Sequence, residues 1–204
     1  MTILERPRGG LHEACSLVLE TDRLILRAPR LEDAKAVATL ADDRRIAENT
    51  LRIPHPYGLG DAEDWIAVSN LDGGEDTFLI TRADDGAVLG SCALRWTTDE
   101  TPEIGYWLGA PHWGRGYATE AARALIDHAF GEHGVETVVA GARTSNPGSR
   151  RVLEKCGFQW TGVELHRIRA IRSSAPFDRF RLERAIWASL KGWGRTATKV
   201  RCSA

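Results

Sequence analysis

Pro111-His112-Trp113-Gly114-Arg115-Gly116-Tyr117-Ala118-Thr119-Glu120-Ala121 is a glycine-rich turn that runs straight into a helix. Ahead of it, Glu103-Ile104-Gly105-Tyr106-Trp107-Leu108 reads as a strand. Behind it, Ala118, Ala122, Leu125 and Ala129, with Ile126 and Phe130 beside them, recur at helical spacing and give one apolar face. Gly114 and Gly116 open backbone angles closed to other residues and put no side chain in the way of a ligand. The first amides of a helix have no partner inside it, and the helix dipole makes that end positive. Strand, glycine turn and helix together predict a phosphate or pyrophosphate site. The turn is not a P-loop, because Gly-Lys-Ser/Thr is absent, and it lacks the third glycine of a dinucleotide fingerprint. Glycines spaced in this way also fit a plain tight turn, so the neighbouring residues must decide.

Outward from this stretch the chain alternates short strands and helices. Leu24–Arg27 reads as a first strand, ended by Pro29. Leu31, Ala34, Val37, Ala38 and Ala41 predict a helix with Glu32 and Asp33 in its first turn, where negative charge is favoured. Residues 47–60 are irregular, and Pro54-His55-Pro56-Tyr57-Gly58 cannot be a helix interior. A second helix covers about Ala62–Asn70. Thr77–Thr81 and Val88–Trp96 are strands joined by Asp84-Asp85-Gly86, a strong hairpin signal. With Glu103–Leu108 they predict an antiparallel meander. Thr137–Ala142 is a further strand, reached from Glu103–Leu108 through the helix, and so parallel to it by a right-handed crossover. Asn146-Pro147 caps and starts another helix, and Gly157 ends it. Phe158 to about Arg172 reads as a bent strand. Phe180, Leu182 and Ile186 predict a final strand.

A chain of 204 residues with 43% hydrophobic content can bury a real core, and no linker divides its middle. We read residues 1–16 as a flexible leader, 17–190 as one domain and 191–204 as a loose tail. The 27 basic residues against 28 acidic ones argue against a dedicated nucleic-acid partner. No apolar run is long enough to span a bilayer, and the N-terminus lacks a signal-peptide core, so no membrane partner is expected and the cytoplasm is the default location. Cys15, Cys92, Cys156 and Cys202 are scattered without CxxC spacing, so no metal is expected. Cys92 and Cys156 read as small buried residues of a reduced protein.

The run Trp-x-x-Gly-x-Ala at Trp113–Ala118 resembles the acyl-CoA pyrophosphate loop of the GNAT N-acetyltransferases. More narrowly, Glu103–Leu108 followed by Trp113–Ala121 resembles the RimJ/RimL-like branch, which includes enzymes that acetylate protein N-termini. Asn146-Pro147-Gly148-Ser149 followed by Glu154-Lys155-Cys156-Gly157-Phe158 resembles that branch's Asn-x-x-Ser and Glu-Lys-x-Gly-Phe segments. Leu19–Arg27 resembles the way such domains begin. These blocks come in family order and cover roughly Leu17 to Leu190. The resemblance implies an α/β (α+β mixed sheet) GNAT fold: a central, mostly antiparallel sheet, one parallel strand pair splayed to hold acyl-CoA, and helices on both faces. It also implies that the second helix and the residues before it wall the acceptor pocket, with His55 and Tyr57 able to meet substrate.

The implied activity is N-acetyl transfer from acetyl-CoA, as acyl-donor co-substrate, to an amine acceptor. The acceptor is a peptide N-terminus or a small amine (polyamine, amino acid or aminoglycoside), and the resemblance leans to the former. A non-catalytic acyl-CoA-binding regulatory module is the competing class, and the family's habits allow a homodimer. Trp107, Leu108 and Gly109 would offer main-chain hydrogen bonds to pantetheine, in the manner of an added strand. Amides of Gly114, Arg115, Gly116, Tyr117, Ala118 and Thr119 would take the pyrophosphate, with a charge contact from Arg115. Asn146 caps its helix and in the family also faces the cofactor, while Arg150 and Lys155 would meet the adenosine phosphates.

Direct attack on a thioester needs a path for the ammonium proton and an acid for the leaving thiolate. Glu103, on the strand expected to hold the thioester, is the base candidate, its pKa raised in a partly dry cleft. Two positions depart from the wider family. Trp113 stands where many members have Gln or Arg, and is expected to pack under the loop. Leu153 stands where many have a Tyr that protonates the thiolate. Ser149, one turn earlier, is the nearest substitute, as a hydrogen-bond partner for sulfur or a proton relay.

Overall fold

The structure is a computed structural model that describes residues 16–71, 75–96, 101–191 and 198–203. Its spine is one nine-stranded sheet. The strands in chain order are β1 (Ser16–Glu20), β2 (Leu24–Arg27), β3 (Glu75–Arg82), β4 (Val88–Trp96), β5 (Pro102–Leu108), β6 (Thr137–Arg143), β7 (Gln159–Ile168), β8 (Ser173–Glu183) and β9 (Lys199–Ser203). Across the sheet they lie in the order β7-β8-β6-β5-β4-β3-β2-β1-β9. Every neighbouring pair is antiparallel except β5 and β6. The helices are α1 (Ala34–Ala41), α2 (Arg44–Ala47), α3 (Leu59–Ser69), α4 (Tyr117–Gly131), α5 (Pro147–Lys155) and α6 (Arg184–Lys191).

Alternation along the strands sends neighbouring residues to opposite faces. Phe78 and Ile80 of β3 join the larger core, built with Ala121, Leu125 and Ala129 of α4, Leu153 of α5 and Trp187 of α6. Leu79, between them, joins a second core with Val37 and Ala41 of α1 and Ala62 and Ile66 of α3. Helices therefore cover both faces, as expected. The β3–β4–β5 meander, the Gly86 turn (φ 70°) and the Asn146 cap, whose side chain accepts from the Ser149 amide, are also as expected.

Five readings are corrected. The first strand is Ser16–Glu20, which pairs with β2 and precedes the one foreseen. A short helix, α2, not foreseen, precedes the irregular stretch and includes its first residue, Ala47, and is capped by the Asp43 side chain. The bent strand ends at Ile168 rather than near Arg172, and a turn follows. The final strand stops at Glu183, and Ile186 belongs to α6, where Trp187 rather than alternation sets the buried face. The tail is not loose throughout: β9 pairs with β1 residue for residue from Ser16↔Ser203 to Glu20↔Lys199. The leader itself, residues 1–15, lies outside the described residues. No helix among the described residues is long and apolar enough to cross a membrane.

Candidate active site

β5 and β6 share only two register positions, Glu103↔Val139 and Ile104↔Ala140. Beyond Ile104 the two strands part, and Tyr106 and Leu108 lose their neighbour on that side. A cleft of about 630 Å³ opens there. Its walls are the end of β5 (Tyr106, Trp107, Leu108), the turn into α4, the start of α5, and α2 with Asn49 and Thr50.

The turn residues Trp113, Gly114, Gly116, Tyr117, Ala118 and Thr119 all line this cleft. Gly114 (φ 75°) and Gly116 (φ 82°) hold left-handed backbone that side-chain-bearing residues adopt at a cost, which is why the turn is built of glycine. No side chain caps α4, and its first internal bond is Glu120 N–H to Gly116 O, so the amides of Tyr117, Ala118 and Thr119 stay available to a ligand. The loop is braced from behind. Arg23 donates to Glu120 Oε2 (2.7 Å) and to the Arg115 carbonyl (3.1 Å), and its guanidinium lies 4.8 Å from the Tyr117 ring centre. Thr21 Oγ1 adds a bond to Glu120 Oε1 (2.7 Å). Trp113 is half exposed and lines the cleft rather than packing under the loop: its Nε1 donates to Leu108 O (2.7 Å), and Arg45 stacks on its ring.

Positive charge reaches the cleft from α5, through one residue that was foreseen and one that was not. Arg150 does not line the cleft and is bonded to Glu154 (3.0 Å) and Asp178 (3.4 Å). One residue on, Arg151 lines the cleft with Lys155, and neither side chain has an ion-pair partner among the described residues. A helical turn of 100° per residue separates the two fates, finer than sequence spacing can fix at a helix start. Arg115 and Gly109 do not line the cleft either. The Gly109 amide donates to Leu89 O (2.8 Å). Ladder alternation then turns the main chain of Tyr106 and Leu108 toward the gap and that of Trp107 toward β4. In keeping with this, a Cβ at Gly90 would collide with the Trp107 carbonyl.

Tyr106 is the residue sequence reasoning passed over. Its hydroxyl lies 3.0 Å from Ser149 Oγ and 3.2 Å from Ser149 O. Burial pushes the phenol well above its ordinary pKa, with a smaller opposing effect from Ser149, so it stays protonated. The available signal was alternation: Tyr106 shares its face of β5 with Ile104 and Leu108, the face that α4 and α5 cover. Leu153 is fully buried beneath it and has no proton to give. Asn49 was also unforeseen; its Oδ1 is buried in the cleft wall with no hydrogen-bond partner among the described residues. His112 lines the loop, its pKa lowered by burial and by the Arg115 and Arg82 charges.

Glu103 is placed differently from expectation. It does not line the cleft and stands on the opposite face of β5 from Tyr106. Oε1 accepts from Arg179 (2.6 Å) and Oε2 is ion-paired with Arg95. Burial alone would raise its pKa, but the two guanidinium groups outweigh it and hold the carboxyl below its ordinary value. The expected upward shift is corrected. His55 and Tyr57 lie beyond the lining too: His55 sits 3.2 Å from Asp42, and Tyr57 is a buried part of the second core. Cys92 and Cys156 are buried and outside any disulfide, as read.

The acetyltransferase (GNAT) domain model matches residues 23–159. The chain belongs to the GNAT acetyltransferase family. An uncharacterized N-acetyltransferase, p20 of Bacillus licheniformis, is 32% identical over 150 residues, covering 71% of this chain and 84% of that protein. Two solved structures share the fold at low identity. RimJ of Mycobacterium smegmatis in complex with CoA-disulfide has a TM-score of 0.70 at 21% identity, covering 83% of this chain and 86% of that one. The microcin C7 self-immunity acetyltransferase MccE, in complex with acetyl-CoA and AMP, has a TM-score of 0.69 at 21% identity, covering 80% and 93%. GNAT membership makes this protein an acetyl-CoA-dependent acetyltransferase, and the spread of these names ties it to no single branch of the family.

Proposed function

We propose that the protein acetylates a primary amine by direct attack on the acetyl-CoA thioester, with a peptide N-terminal amine as the foremost acceptor class. The observation that carries the mechanism is the Tyr106–Ser149 hydroxyl pair, 3.0 Å apart where β5 and β6 part. In this reading the free amides of Tyr117, Ala118 and Thr119 hold the pyrophosphate, Lys155 supplies charge as read from the sequence, and Arg151 takes the part read there for Arg115 and Arg150. The main chain of Tyr106 and Leu108 faces the pantetheine arm, and Asn49 Oδ1 gains the N–H donor it lacks.

Ser149 is the hydroxyl that reaches the departing sulfur. Tyr106 holds it in place and completes a relay in which either hydroxyl can donate. Glu103 enters as a fixed negative charge rather than a titrating base, because both its oxygens are engaged and its conjugate acid is too strong to accept the ammonium proton at neutral pH. The acceptor therefore enters as the neutral amine, its ammonium proton already given up to the buffered solvent, and the proton released on attack leaves by the same route through the open cleft.

The acceptor class is argued from charge. Three carboxylates beside β5 are each matched by arginine: Glu103 by Arg95 and Arg179, Glu75 by Arg52 (2.8 Å), Glu48 by Arg44 (2.6 Å), while Asp61, Glu63 and Asp64 of α3 have no ion pair among the described residues. No surplus of negative charge is left among the three beside β5 for a polycation. An acceptor with one amine, such as a peptide N-terminus, needs no such surplus. The reading is tested by thiol release from acetyl-CoA with peptides differing at the first residue, beside polyamines, amino acids and aminoglycosides. Turnover with the peptides is expected. Turnover confined to polyamines would overturn the acceptor class, and full activity in Ser149→Ala would overturn the relay.

A further inference from the structure

Away from the cleft, at the other end of α4, three side chains converge on one point. His128 Nε2, His133 Nε2 and Asp76 Oδ2 stand 3.1 Å (His–His), 2.8 Å (His133–Asp76) and 3.3 Å (His128–Asp76) apart. They come from the last turn of α4, the residues just after it, and the start of β3. We propose that these three atoms form a site for one divalent transition-metal ion of the zinc type, with water as fourth ligand.

Two arguments support this. The first is geometric. Ligand atoms at 2.0–2.1 Å from a tetrahedral ion lie about 3.3 Å from one another, and the three separations here cluster just below that edge. The second is proton bookkeeping. A carboxylate oxygen only accepts, and each Nε2 carries either a proton or a lone pair. If His133 donates to His128, the His128 lone pair faces the carboxylate. If both donate to Asp76, two N–H groups face each other. No assignment makes all three contacts hydrogen bonds, whereas a cation satisfies three lone pairs together.

The surroundings fit the same ion. His128 is buried, 3% exposed, and its ring is fixed edge-on to Phe78 and to His133. Its Nδ1 has no partner in either tautomer, so only the Nε2 side can reward the ring's placement. Asp76 and His133 are about one-third exposed, which leaves an entry path and room for water. The negative end of the α4 dipole points at the cluster and favours a cation. The three residues, together a His₂Asp set, are those of a borderline-soft ion rather than of calcium or magnesium. Histidines five apart and a carboxylate 52 residues earlier form no recognisable ligand motif, so the sequence reading of no metal, drawn from cysteine spacing, could not see them. The site lies a helix length, about 20 Å, from the cleft. It is therefore a staple between α4 and β3 and takes no part in acyl transfer.

The test uses the full-length chain, stripped with chelator and dialysed, then titrated with Zn²⁺ by calorimetry and with Co²⁺ by absorption. One equivalent is expected to bind, with a tetrahedral Co²⁺ spectrum that lacks a thiolate charge-transfer band, and the melting temperature is expected to rise by about 5 °C or more at saturation. Asp76→Asn and His133→Ala should weaken binding at least tenfold and abolish the rise, while thiol release from acetyl-CoA stays at the wild-type rate. That unchanged turnover shows that the variants are folded, and His133→Gln replaces His133→Ala if the latter is not. Absence of binding overturns the site. So does undiminished binding in both variants, or a thiolate band, which would place the ion on cysteines.

Discussion

At the scale of single residues, the polar side chains beside β5 lie on its two opposite faces. Ser149 and Tyr106 face the helices of the larger core, and Glu103 faces the other side. Ser149→Ala is expected to lower turnover by about 100-fold with the KM for acetyl-CoA nearly unchanged, because a proton relay acts only in the transition state. Tyr106→Phe should give a smaller loss of the same kind, read by the same steady-state kinetics. Glu103 yields a pH prediction. Its folded pKa lies below the unfolded one, so its ion pairs contribute their full stability above the ordinary carboxylate range. That contribution is lost as pH falls through the depressed folded value. Glu103→Gln should therefore melt below wild type at pH 7, by roughly 1–2 kcal/mol for so partly screened a pair. The gap should close in melts run below about pH 4. A gap independent of pH would mean that Glu103 acts through packing alone.

At the scale of elements, the turn into α4 and the edge strand β9 are the most exposed to test. Gly116 sits at φ 82°, so Gly116→Ala should cost about 1–2 kcal/mol of stability. The same variant should weaken acetyl-CoA binding more than the melt alone explains, since the turn aims the α4 amides. Calorimetry beside a thermal melt separates the two effects. β9 covers β1, which would otherwise present an open edge. Removal of residues 198–204 should lower the melting temperature and raise concentration-dependent association, measured by light scattering. A monodisperse truncated protein with an unchanged melt would show that β9 is dispensable.

At the scale of the whole molecule, one continuous sheet carries the two larger cores on its faces and a smaller cluster of Ile168, Ala175 and Phe177 on β7 and β8. Residues 17–190 should unfold as one cooperative unit, with tryptophan fluorescence and far-UV circular dichroism giving coincident denaturation midpoints. The fold was legible where local physics is strong: glycine turns, the Asn146-Pro147 cap, and the β3–β5 meander. It was not legible at β9, whose five residues pair with β1 only because distant ends of the chain meet, nor at β1, whose local pairing with β2 spans just two register positions. Nor was it legible at α6, where a short apolar spacing fits a strand and a helix equally until Trp187 finds its stacking partner Phe130.

The sequence by itself determined the family, the strand–turn–helix with its glycine turn, and the candidacy of Ser149, because these depend on residues near one another along the chain. Only the tertiary structure decided which charges serve the cleft. The rotation of α5 presents Arg151 and withdraws Arg150. The pairing of β6 with β8 brings Arg179 onto Glu103 and reverses the expected shift of its pKa. The splay of β5 from β6 leaves Tyr106 beside Ser149, and the last turn of α4 carries His128 and His133 to Asp76. Electrostatics and hydrogen bonding act over a few ångströms of space, and the residues they join here lie between 43 and 76 positions apart in the chain, save the neighbouring histidines.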